Sequence, residues 1–219
     1  MNKINVIKSP AKPSPGYPPM ESALPPPPQV EINPAWTVPT AAQCISWWDD
    51  YAMLNNIKAH STLVAKVAVQ ISIMAEQAGI SVNIPTIQAS ALLHDIAKSY
   101  CIHHGGNHSQ LGAAWTMQLT SNPVIAMGVL HHVFWPYKPE ADKYFLPLVV
   151  SYADKRVMHD SLTSLEKRFG DLKVRYGKTD KIKQRIHQTY EQALILEEQL
   201  GNLIGVDLNA CSFDSGRLV

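Results

Sequence analysis

The sequence predicts an all-α protein, a single helical domain behind a Pro-rich N-terminal tail, on three observations. Apolar residues recur at three- and four-residue steps over long stretches, helix-starting and helix-stopping residues bracket those stretches, and no convincing alternating strand appears. With 219 residues, 46% of them hydrophobic, the chain is long enough for one domain with a sizeable core.

Residues 1–39 hold eleven of the sixteen prolines, with Pro25 to Pro28 in a row. Proline has no backbone donor and stiffens the chain toward an extended form, so this stretch is a tail and not a domain. Its composition favours a disordered leader; the alternative is a polyproline ligand for a protein partner. The helical domain is expected over residues 40–205, with 206–219 as a C-terminal tail.

Thr40, with Gln43 three residues on, forms a capping box ahead of a short first helix. Ile57, His60, Leu63, Val64, Val67, Ile71 and Met74 then mark one face of a long helix that stops at Gly79, which turns His60 inward. A third helix is expected from Pro85, with Ile87, Ala91, His94, Asp95 and Lys98 along one face. Asn122 and Pro123 start another through "VIAMGVLHH", and "PLVVSYADKRVMHD" supplies the next from about Pro147. A long final helix is expected from Asp180 to Leu200, with Gly201 ending it. "EKRFGDLKVRYG" reads as a charged surface segment, although Arg168 and Arg175 within it are candidates for extending a phosphate pocket. Trp47, Trp48 and Trp135 are read as packing residues before base-stacking ones.

The charge balance is nearly even, 19 Lys and Arg against 18 Asp and Glu, so no broad field recruits nucleic acid or an anionic membrane. The three cysteines, Cys44, Cys101 and Cys211, lie far apart and without CxxC spacing, which argues against a disulfide framework or a thiolate zinc site. No stretch of signal-peptide character is seen, and none approaches about 18 uninterrupted apolar residues. A soluble, cytoplasmic protein is the expectation; the oligomeric state is not addressed by the sequence.

Six of the nine histidines fall between His94 and His132, with His60 one helix upstream. A lone inward histidine is ordinarily satisfied by a carbonyl, but several on facing helices point to ligation. His94 and Asp95 lie about 100° apart on a helix, so both can reach one ion placed between their directions. Histidine nitrogen with carboxylate oxygen and no thiolate favours a divalent iron, manganese, cobalt, nickel or zinc over calcium. Lys98 lies four residues after His94 and three after Asp95, a spacing that brings its ammonium over the same pocket as a phosphate contact; the plainer reading is an exposed lysine at a helix end.

Taken in order, "KAHSTLVAKVA", "ALLHDIAK", "NHSQLGAA", "VLHH" and "YADKRV" resemble the HD superfamily of metal-dependent phosphohydrolases, over about residues 45–160. That resemblance implies an HD-type helical domain in which His60, His94, Asp95 and Asp154 hold one metal. Similarity to the binuclear members, such as the bacterial diadenosine tetraphosphate hydrolases, implies that Asp95 bridges to a second metal held by His108 and one of His131 or His132. The Gly-Tyr-Pro signature of the members that cleave cyclic dinucleotides is missing from "HHVFWPYKPE". The implied activity is hydrolysis of a phosphoester or phosphoanhydride in a small nucleotide-like substrate. Asp95 and Lys98 are the expected catalytic residues, and Lys98, His103, His104, Lys155 and Arg156 the expected substrate contacts. Two other classes remain: a di-iron oxygenase of the same superfamily, which the same ligand set would serve, and a catalytically silent nucleotide-binding sensor that uses the tail for interaction, against which the intact ligand set argues.

Overall fold

The fold is seen in a computed structural model that describes residues 25, 27, 29, 30, 33 and 35–213. The disorder expected of the tail otherwise falls outside the described residues. Where the tail is described, it touches the domain: Tyr144 donates its hydroxyl to the Pro27 carbonyl at 2.9 Å, and Asn122 donates to that of Thr37 at 3.3 Å.

Helix α1 (Ala41–Asp50) starts at the expected Thr40–Gln43 capping box. Helix α2 (Asn55–Gln77) ends at Gly79, whose φ of +84° is the left-handed conformation that favours glycine. Helix α3 (Ile84–Leu93) starts on the Asn83 side chain, which accepts from the Thr86 amide.

The expected continuation of α3 through Lys98 is not what forms. The chain leaves the helix at His94 and makes a turn held by bonds from the Ile96 amide to the Leu93 carbonyl and from the Lys98 amide to the Asp95 carbonyl, before α4 (Lys98–His104) begins. Three-residue bonds replace the four-residue ladder there, so the His-Asp pair sits on a tight turn between two helices and not mid-helix.

Helices α5 (His108–Thr120) and α6 (Pro123–His131) both start on asparagine caps, Asn107 and Asn122. Helix α7 (Phe145–Lys155) leads into a minimal antiparallel hairpin, β1 (Val157–Met158) and β2 (Ser161–Leu162), whose turn places His159 at a φ of +61°. Helix α8 (Leu165–Tyr176), capped by Ser164, forms where a charged surface segment was expected. Helix α9 (Asp180–Ile204) outlasts its expected end: Gly201 stays helical because the apolar step from Leu200 to Ile204 remains buried, and Gly205, at a φ of +70°, ends it instead.

The all-α expectation holds, with the hairpin as the only sheet among the described residues. Helix α2 lies along α3 and α7, α6 packs on α3, α5 and α7, and α9 covers α7 and α8. Ile71, Leu92, Leu93, Ile96, Leu148 and Leu196 are fully buried between them. Trp48 and Trp135 are core residues, and Trp48 donates its indole N–H to the Leu92 carbonyl at 3.0 Å, just before the His-Asp turn. Helices α3 and α6 approach closely because residue 128 is glycine: a Cβ there would lie 2.1 Å from Ser90 Oγ. The packed region runs past residue 205, since Leu208 and Phe213 are buried. No helix among the described residues is long and apolar enough to cross a membrane.

Candidate metal centre

Three elements deliver the centre. His60 comes from the first half of α2, His94 and Asp95 from the turn after α3, and Asp154 from the last turn of α7. Their directions are set by backbone. His94 Nδ1 lies 2.7 Å from the Ala91 carbonyl and His60 Nδ1 lies 3.0 Å from that of His159. A carbonyl only accepts, so each Nδ1 carries the hydrogen and each Nε2 turns a lone pair inward. His60 Nε2 then stands 3.0 Å from Asp154 Oδ1, and His94 Nε2 stands 3.4 Å from Asp95 Oδ2 and 3.8 Å from Asp154 Oδ1. Lone pairs of nitrogen and carboxylate oxygen facing one another at such distances are unfavourable unless a cation lies among them. His94 Nε2 and Asp95 Oδ1 are buried and have no hydrogen-bond partner among the described residues, which fits ligand atoms and not a satisfied core. His60, His94 and Asp95 together form a group able to hold a metal ion.

Residues 57–159 match the HD domain family.

All four of these residues lie inside the HD match, while α8 and α9 lie beyond it. No curated protein and no solved structure matches the chain. A second ligand group, Asp95 with His108 and His132, shares the carboxylate. Asp95 Oδ1 is 3.3 Å from His108 Nε2 and 3.5 Å from His132 Nε2, while Oδ2 faces the His60 and His94 side. His132 repeats the device of His94: its Nδ1 lies 2.7 Å from the Val129 carbonyl three residues back. His108 and His132 bring their Nε2 atoms within 3.2 Å of each other.

Electrostatics follow from this crowding. Burial alone would raise Asp95, but the neighbouring His94 and the Lys98 ammonium outweigh it and hold the carboxyl well below its usual range. Asp154 is likewise held well down, burial being overcome by its close contact with His60 and by the Lys155 ammonium. Burial opposes charge on His94, yet the Asp95 and Asp154 carboxylates raise it. His108, half-buried and beside His132, is pushed down to about 4 by desolvation and by that neighbour. Burial lowers His132 as well.

The remaining expected site residues divide. Lys98 borders the cavity and places Nζ 2.6 Å from Asp95 Oδ2. Lys155 also borders it, but its ammonium is engaged with the His132 carbonyl at the end of α6 and with Ser151 Oγ, and burial lowers it to about 8. The lysine therefore anchors α6 to α7 and supports His132 from behind.

Three expectations are corrected. Arg156 points away from the centre into a buried network with Tyr152, Glu197 and the carbonyls of Thr163 and Leu208, because the C-terminal segment folds back over it. His103 and His104 end α4 exposed and do not line the cavity; His104 packs on the Tyr100 ring. Of the pair at the end of α6, His131 turns outward onto Trp135 and Tyr137, and His132 is the one at the centre.

The cavity over the centre measures about 540 Å³. Its far wall consists of α8 and the first half of α9, including Arg168, Asp171 and Arg175. Sequence reading did not find Asp171 or His159. Arg175 donates to Asp171 Oδ1 and reaches His159 Nε2 at 2.7 Å, so α8 steadies the hairpin turn whose carbonyl orients His60. The signal was present in Ser164 as a helix start and in the three- and four-residue steps of Leu165, Phe169, Leu172 and Tyr176, but the charged residues between them made the segment read as surface.

Proposed function

We propose that the protein is a metal-dependent phosphohydrolase of the HD superfamily, with a binuclear centre, acting on phosphoester or phosphoanhydride bonds of a small nucleotide-like substrate. The observation that carries this reading is Asp95, whose two oxygens face two separate sets of histidine Nε2 atoms from a buried turn. His60, His94, Asp95 and Asp154 would hold one ion, and Asp95, His108 and His132 the other. When bound, two divalent ions supply charge stabilisation for a phosphoryl group and lower the pKa of water. Lys98 presents a positive charge at the mouth of the centre, where a phosphoryl oxygen gains negative charge. The Nδ1-to-carbonyl bonds of His60, His94 and His132 keep the Nε2 atoms aimed inward, so little reorganisation accompanies the reaction.

The test is hydrolysis of mononucleotides, dinucleoside polyphosphates and cyclic dinucleotides, read as phosphate from the first and as nucleotide products by chromatography from the others, without oxygen, by manganese-loaded protein. Hydrolysis of at least one class, abolished by a chelator, is expected. Activity that appears only with iron and oxygen would assign the same ligands to an oxygenase.

A further inference from the structure

Helix α8 buries two polar side-chain atoms that have no partner among the described residues, Arg168 Nε and Asp171 Oδ2. The two residues are three positions apart and so share a face of the helix, and both border the cavity over the centre. One atom can only donate; the other, on an ionised carboxylate, can only accept. Buried polar atoms are nearly always satisfied, so an orphaned donor and an orphaned acceptor one helical turn apart on a cavity wall, on side chains that are themselves only half-buried, call for a molecule that enters the cavity. The Asp171 carboxylate is not free to turn, because its Oδ1 accepts from Arg175 Nε at 2.9 Å. The Arg168 charge bears on both Lys98 and Lys155, which places the guanidinium toward the positive end of the cavity. Ile57, Ile102, Leu172 and Tyr176 add apolar surface. A cavity of about 540 Å³ lies within the range of roughly 300–1,000 Å³ that accommodates a small ligand.

We propose that Arg168 and Asp171 form a recognition pair for a ribonucleoside phosphate, Arg168 donating to a phosphoryl oxygen and Asp171 accepting from a hydroxyl or amino group of the nucleoside. The role in turnover rests on the phosphohydrolase reading; the binding role does not. Inorganic phosphate or an aryl phosphate satisfies Arg168 and leaves Asp171 unpaired, whereas a nucleoside satisfies both, and an unpaired buried acceptor is a source of discrimination. Both residues lie outside the HD match, so selectivity resides on an element that the shared segment does not include.

The experiment uses the metal-loaded full chain, unaltered and as Arg168→Gln and Asp171→Asn. Binding of the hydrolysis-resistant phosphonate isosteres of the four ribonucleoside 5′-monophosphates is measured by calorimetry. Turnover is measured on the monophosphates and on p-nitrophenyl phosphate. The unaltered protein binds at least one isostere. Asp171→Asn weakens that binding on the order of 10- to 100-fold and raises KM for the monophosphates by more than it raises KM for p-nitrophenyl phosphate, while Arg168→Gln raises KM for both substrate types alike. Both variants keep the metal content of the parent; Arg168→Gln keeps its Tm as well, and Asp171→Asn lowers Tm only slightly, because its Oδ1 still accepts from Arg175 but without the charge. The proposal is overturned if no isostere binds, if Asp171→Asn leaves nucleoside binding intact or affects both substrates equally, or if binding is lost together with metal. Nucleoside binding with the predicted effects of the variants on binding, but no hydrolysis of these monoesters or of dinucleoside polyphosphates and cyclic dinucleotides, would remove the phosphohydrolase reading and leave the recognition pair standing.

Discussion

The two walls of the cavity are built differently. On the α2, α3, α6 and α7 side, three imidazoles are aimed by backbone carbonyls, and His94, His132 and Asp95 are 0–2% exposed. On the α8 side, charged side chains aim one another: Asp171 holds Arg175, and Arg175 reaches His159. A backbone-set wall tolerates no choice of geometry and suits fixed chemistry, whereas a wall set by side chains can change its ligand without disturbing the fold. The HD match covers the first wall and stops before the second begins.

The largest effect that could break this division is expected at Asp95. Asp95→Asn keeps the shape but removes the charge facing both histidine groups, so bound metal and turnover should both be lost while helical circular dichroism persists. Retained metal and turnover would place the chemistry elsewhere. Lys98→Ala comes next: steady-state kinetics should show a fall on the order of 10²–10³ in turnover at unchanged metal content, because the lysine contributes charge and not ligation.

A smaller change separates neighbours. His132→Ala should lower metal content from two ions per chain toward one, while His131→Ala should leave it alone and reduce only Tm, since that ring packs on Trp135 and Tyr137. Equal effects of the two on metal content would contradict the assignment.

The smallest effect is the pH dependence of the metal-free protein. Burial pushes His108 and His131 down to about 4 and lowers His132, so all three bind protons more readily unfolded than folded. Their stabilisation is complete above the ordinary value of 6.5 and is lost as pH falls toward about 4. His94, raised by the carboxylates against the effect of burial, works in the opposite sense and loses its contribution as pH rises through its folded value. With three histidines lowered and one raised, Tm after chelation should drop between about pH 7.5 and pH 5. A rise would mean that the raised histidine dominates.

Much of this was legible in the sequence where the signal is local. The capping box at Thr40, the Asn122–Pro123 helix start and the glycine after α2 are read from a few adjacent residues, and an adjacent His-Asp pair in an apolar run signals ligation. What stayed hidden depends on contacts distant along the chain. Arg156 looked like a substrate contact because its partner, the Leu208 carbonyl, lies 52 residues away. His131 and His132 could not be separated while the end of α6 was set only by pattern, and the decision rests on where Trp135 packs. That tryptophan is clamped by Gln192 of α9, which accepts from its amide at 3.0 Å and donates to its carbonyl at 2.7 Å. Helix α8 escaped notice because six of its twelve residues are charged, which masks the apolar period of Leu165, Phe169, Leu172 and Tyr176.

Anomalous diffraction from crystals of manganese-loaded protein tests the binuclear claim most directly. The account predicts two peaks about 3.5–4 Å apart, with Asp95 between them, one within reach of His60, His94 and Asp154 and the other within reach of His108 and His132. A single peak at full occupancy, with His108 and His132 bound to no metal, would contradict it.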